Sequence, residues 1–259
     1  MANLATRRWG DSGPRAVLVH GVTAWSNTWW RIGPALAERG WDVTAVDLRG
    51  HGDSPRAGTT MHLNELGADL VETIGPGVDL LVGHSLGALA GLSALNQEPK
   101  LAARAVLEEP PGMTTVDREL LGALIADDFQ RARADRDEFA AHLSSQNPRW
   151  DDRDVDEAVE GLLRGDGEAI VRATAQRDLN WDLAELVTPL RVPLLVLLAV
   201  DGTASFGAEE GGSALVGDDR ASFIEALGEN EHLVIDGGHC IHRSEPWLWL
   251  EAVARSSEG

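Results

Sequence analysis

Residues 80–91 read LLVGHSLGALAG. An apolar run stops at Gly83, a lone serine follows, and small residues continue behind it. Two readings compete: a plain structural turn, or a nucleophile raised on a tight bend. The second asks for a strand before the serine and a helix after it. Both sides comply. "VDLLV" before it has the apolar density of a buried strand, and "ALAGLSALN" after it suits a helix. Glycines on either side let the backbone approach closely. The bend would raise the Ser85 hydroxyl at the C-terminal edge of a sheet. It would also place the backbone N–H of Leu86, and the positive end of the helix, near a reacting oxygen.

The runs around this stretch set the fold class. "RAVLV" (15–19), "WDVTAV" (41–46), "ARAVLE" (103–108), "PLLVLLAV" (193–200) and "EHLVI" (231–235) are mostly continuous rather than alternating in apolar character. That pattern predicts parallel strands covered on both faces. Helical patterns lie between them. Leu63, Leu66, Leu70 and Ile74 recur at helical spacing, and "WWRIGPALAERG" ends on a glycine stop. Strands alternating with helices predict an α/β fold with a mainly parallel sheet and helices on both faces. The alternation lapses across residues 112–190, where only helical faces such as Leu120, Leu121, Leu124 and Ile125 stand out. This predicts a core at 1–111 and 191–259 with a helical cap insert at 112–190, and a loop at "FGAEEGGSALVG" (206–217).

Composition narrows the partners. The chain has 259 residues and a formal net charge of -20, a surface that repels phosphate backbones and argues against nucleic acid. No apolar run reaches the roughly 18–20 residues of a membrane span, and "MANLATRRWG" lacks the apolar core of a signal peptide. The single cysteine, Cys240, fits a reducing cytoplasm. No metal-ligand spacing and no phosphate-binding glycine loop stands out, so no cofactor is expected. Oligomeric state is not encoded in any of these features.

A serine hydroxyl needs a base. Of the eight histidines, His239 in "IDGGHCIHRSEP" follows the last strand candidate, where the base is expected in the chain order serine, acid, histidine. His242 reads as peripheral, and His84 is expected to pack away from the reacting centre. "LVHGVTAW" (18–25) is a strand end followed by a loop whose Val22 N–H can join that of Leu86 in an oxyanion hole. Trp25 and Trp29 follow closely and are candidate pocket residues for an apolar or ring-bearing substrate. Trp150 and Trp181 fall in the insert.

Taken together, "LVHG", "DLRGHGDS" (47–54), "GHSLG" and "GGHCIHRSEP" resemble the α/β-hydrolase superfamily across nearly the whole chain. The resemblance implies a serine esterase or lactonase that forms an acyl-enzyme on Ser85, with His239 as base. It implies a structural rather than catalytic role for "DLRGHGDS". It leaves the acid open. In most relatives the acid follows the penultimate core strand, which points to Asp201, although Ala199 stands where that pattern has glycine and the aspartate comes one residue early. In branches such as the haloalkane dehalogenases and the zearalenone-hydrolase-type lactonases the acid follows an earlier strand, which points to Glu109 of "AVLEEPPG". Alternation sends Glu108 and Glu109 opposite ways. A serine at 85 argues against the dehalogenases and epoxide hydrolases, whose nucleophile is aspartate. C–C bond hydrolysis or elimination with the same residues, and a non-catalytic ligand receptor on the same fold, are the alternatives.

Overall fold

The structure is a computed structural model that describes residues 3–58, 60–113, 118–175, 181–201 and 212–255. Seven strands form one sheet among the described residues: β1 (Thr6–Trp9), β2 (Arg15–Val19), β3 (Asp42–Val46), β4 (Leu80–His84), β5 (Ala105–Glu108), β6 (Leu194–Ala199) and β7 (Glu231–Ile235). Their order is β1-β3-β2-β4-β5-β6-β7, with β1 antiparallel and every other pairing parallel. Chain order reverses between β2 and β4, where an open parallel sheet forms its ligand crevice.

The central strands are apolar throughout because both faces are covered. β4, β5 and β6 are buried at every position. On one face lie α2 (Leu63–Ile74) and α3 (Leu86–Gln97), with Leu66, Leu70, Leu81, Leu89 and Leu107 in a shared cluster. On the other lie α1 (Ile32–Ala37), α10 (Ile241–Ser244) and α11 (Pro246–Arg255), gathered around Leu18, Val82, Leu197 and Trp249. β1 escapes the sequence reading because it is an edge strand, half exposed and carrying two arginines. β7 is the opposite edge, and Val234 there is exposed.

Between β5 and β6 the described chain forms α4 (Arg118–Ala134), α5 (Arg136–Gln146), α6 (Asp152–Arg164), α7 (Gly167–Ala175) and α8 (Leu183–Val187). The first four pack on one another. α8 instead packs against α3 and α9 (Gly217–Leu227), so the stretch expected as an insert ends in a helix that sits with those of the sheet. Leu121, Leu124 and Ile125 turn toward a cavity over the C-terminal ends of the strands. α6 is tied to the loop after β2, where the Trp30 indole N–H donates to Asp154 Oδ1 at 2.8 Å. Much of the loop expected at 206–217 lies outside the described residues, but its end, Ser213–Val216, is buried. No helix among the described residues is long and apolar enough to cross a membrane.

Candidate active site

Ser85 sits between β4 and α3 with φ 53° and ψ -117°, a conformation L-residues avoid. The strain is imposed by packing, since α3 lies hard against the strands. A Cβ on Gly83 would come within 2.5 Å of the Gly87 carbonyl oxygen, and one on Gly87 within 2.3 Å of the Val19 carbonyl oxygen. Both glycines are therefore required by close approach, and the bend is concentrated at the serine. The Ser85 N–H is satisfied by the Glu108 carbonyl at 2.9 Å. Leu86, as first residue of α3, carries an N–H outside the helical ladder.

Ser85 and His239 line one cavity of about 150 Å³, together with Val22, Ala24, Leu121, Leu124, Ile125, Phe139, Trp150 and Leu162. His239 Nδ1 lies 3.2 Å from Glu109 Oε2. Carboxylates only accept, so the proton sits on Nδ1 and Nε2 is left as the basic nitrogen.

Glu109 is completely buried and is itself strained, at φ 48°. Its carboxylate accepts from the backbone N–H groups of Ala199 at 2.6 Å and Ala214 at 2.7 Å. The Ser213 hydroxyl lies 2.9 Å from Oε1. Every partner is a donor, so both carboxylate oxygens are satisfied despite the burial. Arg220, also buried, donates to the Ala199 carbonyl at 2.9 Å and so pins the Ser213 turn beside the end of β6. Ser213 and Arg220 gave no signal in sequence, because they reach the site from a glycine-rich loop and from α9.

Of the two candidate acids, then, Glu109 is the one on His239. Asp201 stands exposed two residues beyond β6. The chain there has already left the sheet, and it is Glu109 that bonds the His239 imidazole.

Both proposed oxyanion donors flank the serine. Val22 borders the main cavity, and Val22 and Leu86 border a second, smaller one that also touches Ser85. His51, from "DLRGHGDS", lies with Nε2 2.7 Å from the Val22 carbonyl and braces that loop. Asp47 accepts from the Ser26 N–H at 2.6 Å and the Asp53 N–H at 2.9 Å. The motif is thus a structural clamp on the Val22 loop.

The tryptophan expectation needs correcting. Neither Trp25 nor Trp29 lines either cavity. A 3-10 turn over Ser26–Trp29 carries Trp29 down to the far face of the sheet, fully buried at 6.0 Å from the Trp249 ring. Trp25 is held between the guanidinium groups of Arg7 and Arg164, at 5.4 Å and 4.4 Å. The tryptophans that do reach the cavities are Trp150 and Trp181.

Two histidines also differ from expectation. His84 lines the cavity, its ring 4.8 Å from that of His239. Its Nε2 donates to the His239 carbonyl at 2.9 Å, so it holds the His239 backbone. His242 is buried, not peripheral. Its N–H and Nδ1 both bond Glu108 Oε1, at 3.0 Å and 2.8 Å. The Trp249 indole donates to Glu108 Oε2 at 2.9 Å. Burial pushes the Glu108 carboxyl up and the His84 and His242 imidazoles well down, so both rings are neutral. His84, Glu108 and His242 place ligating atoms within 4.8 Å of one another. Glu108 and His242 already bond each other, and we read the trio as a brace rather than an ion site.

Two more groups colour the cavity. Asp128 of α4 lines it, and burial beside Asp127 pushes its carboxyl up to about 6. Burial pushes the Cys240 thiol up to about 12, so it stays protonated and does not compete with the serine.

Known proteins share this arrangement of elements. The family described as the alpha/beta hydrolase fold matches residues 14–154. The lipase LipV of Mycobacterium tuberculosis is 28% identical over 268 residues, covering 99% of this chain and 98% of its own. The 2-(acetamidomethylene)succinate hydrolase of Mesorhizobium japonicum is 28% identical over 197 residues, covering 72% of this chain and 70% of its own. Among solved structures, the N-formylmaleamic acid deformylase of Pseudomonas putida superposes with a TM-score of 0.78 at 23% identity, covering 98% of this chain and 97% of that one. A family match over more than half the chain, on a sheet of this order with a strained serine after its central strand, means that the protein belongs to the α/β-hydrolase family.

Proposed function

We propose that the protein is a serine hydrolase of carboxylic esters or lactones. The observation that carries this reading is the hydrogen bond from His239 Nδ1 to the buried Glu109 at 3.2 Å, beside a serine strained at φ 53° in the same cavity. Ser85 Oγ attacks the carbonyl carbon as His239 Nε2 removes its proton. The negative oxygen is received by the N–H groups of Val22 and Leu86. Collapse of the tetrahedral intermediate breaks the acyl–oxygen bond, and His239 returns the proton to the leaving alcohol. Water, deprotonated by the same imidazole, then attacks the acyl-enzyme. The acid leaves and Ser85 recovers its proton. Glu109 holds the Nδ1 tautomer and stabilises the imidazolium throughout. Helices α4–α7 act as the cap that excludes bulk water and shapes the apolar wall.

A second reading keeps these residues and changes the bond to an N-acyl linkage. It is favoured by the similarity to a deformylase and to 2-(acetamidomethylene)succinate hydrolase. The deciding assay is a panel of p-nitrophenyl esters, aromatic lactones, N-formyl amides and a ring-fission diketone, run beside fluorophosphonate labelling. Turnover of esters and lactones, with mass spectrometry placing the label on Ser85, supports the main reading. Turnover untouched by Ser85→Ala removes the serine mechanism. Preferred cleavage of the amide or diketone moves the assignment to that bond. Tight ligand binding with no label and no product means a receptor.

A further inference from the structure

Two cavities meet at Ser85, and they are chemically unlike. The larger, about 150 Å³, contains His239 with Gly237, Gly238 and Cys240, and carries the polar side chains of Asp128, Asn147 and Arg243. The smaller, about 50 Å³, is lined mainly by Leu86, Leu89, Pro111, Met113 and Trp181, with Arg118 and Thr174 also at its wall. Val22, Ser85 and Leu121 border both. His239 borders only the larger.

That asymmetry orients the substrate. The tetrahedral intermediate has four substituents: Ser85 Oγ, the oxyanion, the leaving oxygen and the acyl chain. The leaving oxygen must lie beside His239 Nε2 to take its proton. The oxyanion lies between Val22 and Leu86. The acyl chain takes the remaining direction, away from His239.

We infer that the smaller lobe is the acyl pocket and the larger lobe receives the leaving group, so the enzyme selects short acyl chains on a larger, partly polar alcohol. This rests on the serine-hydrolase reading above and adds the substrate class. A lobe of about 50 Å³ has room for about four water-sized groups at about 10–15 Å³ each. The stop is rigid. The Trp181 indole N–H donates to the Pro111 carbonyl at 2.8 Å, and the Arg118 guanidinium lies 5.4 Å from its ring. The larger lobe suits an alcohol with an apolar body, against Leu124, Ile125, Phe139 and Trp150, and a hydrogen-bonding end near Asp128 and Asn147.

The test varies acyl and alcohol independently, reading kcat/KM. One series runs p-nitrophenyl acetate, butyrate, hexanoate and octanoate. The other runs acetates of ethanol, benzyl alcohol and naphthylmethanol. The wild type is expected to fall at least tenfold between butyrate and octanoate, because an overlong chain meets a fixed wall. Trp181→Ala is expected to move the acyl optimum to longer chains with the alcohol preference unchanged. Met113→Phe, which needs no hole in the structure, is expected to shorten the optimum toward acetate. Leu124→Trp is expected to depress only the bulky alcohols. Fluorophosphonate labelling of Ser85 in each variant establishes that it is folded. The converse pattern, Trp181 and Met113 variants changing alcohol preference while Leu124→Trp changes acyl length, overturns the inference and leaves the serine mechanism standing. Absence of both turnover and label in the wild type removes the mechanism and the inference together.

Discussion

Glu108 and Glu109 stand side by side at the end of β5, both fully buried, and they face different regions of the molecule. On the Glu108 side lies a sealed assembly. His242, Trp249 and Thr28 close around the carboxyl, with the Trp29 ring 4.5 Å from His242. On the Glu109 side the partners are two backbone N–H groups, a serine hydroxyl and a histidine that lines a cavity. Burial and residue type are the same on both sides. The difference is whether the histidine bonded to the carboxylate borders the cavity that holds Ser85. His242 spans Glu108 and Thr28, so both its nitrogens are engaged. His239 borders the cavity with Ser85.

That contrast breaks if the two glutamates respond alike. Glu109→Gln is expected to lower kcat by roughly 10⁴-fold with the fold retained, by analogy with removal of a triad carboxylate. Glu108→Gln is expected to act chiefly on stability. It leaves a donor facing a donor, at a cost of about 1–3 kcal/mol in urea unfolding, with kcat the less affected. Equal losses of kcat would erase the distinction.

Ser213→Ala sharpens it on the Glu109 side. One hydrogen bond to a charged acceptor is worth about 1.5–3 kcal/mol. If the transition state feels that loss in full, kcat/KM drops roughly 10- to 100-fold. A large fall in melting temperature with unchanged kcat/KM would reduce Ser213 to a packing residue.

A smaller effect concerns Asp128, whose carboxyl burial pushes up to about 6 from an ordinary value of 3.8. The native state holds that proton over a range in which the unfolded chain has lost it. Stability from this group therefore declines as pH rises from about 4 to about 6. Asp128→Asn is expected to raise the melting temperature at pH 7 and to bring no gain at pH 4. The same difference at both values would disprove the burial effect. The smallest effect is expected at Asp201. Because it is exposed beyond β6, Asp201→Asn should leave kcat/KM at the wild-type level.

Much of the fold was legible because the sheet is buried on both faces, so β2 to β6 are written as plain apolar runs. β1 was not, since an edge strand with "TRRW" carries no such signature. Ser85 and His239 were legible as the candidate nucleophile and base because a strand–turn–helix bend and the loop after the last strand are local features with their own glycines. The pocket aromatics were misread for a physical reason. Trp25 and Trp29 are near Val22 in sequence, but the 3-10 turn over Ser26–Trp29 carries Trp29 to the opposite face. His242 reads as peripheral because it lies three positions beyond His239, yet α10 buries it against Glu108.

By itself, then, the sequence determined the layered α/β plan and the candidate nucleophile and base, since each depends on residues adjacent in the chain. Only the tertiary structure decided that Glu109 rather than Asp201 meets His239. It also decided that Ser213 and Arg220 secure that carboxylate and that two unlike lobes diverge from Ser85. Those outcomes depend on where β5, β6, α9 and the helices over the cavity stand relative to one another. Side chains separated by 130 positions in the chain, such as Glu109 and His239, become partners only when long-range packing fixes the ends of their strands on the same edge.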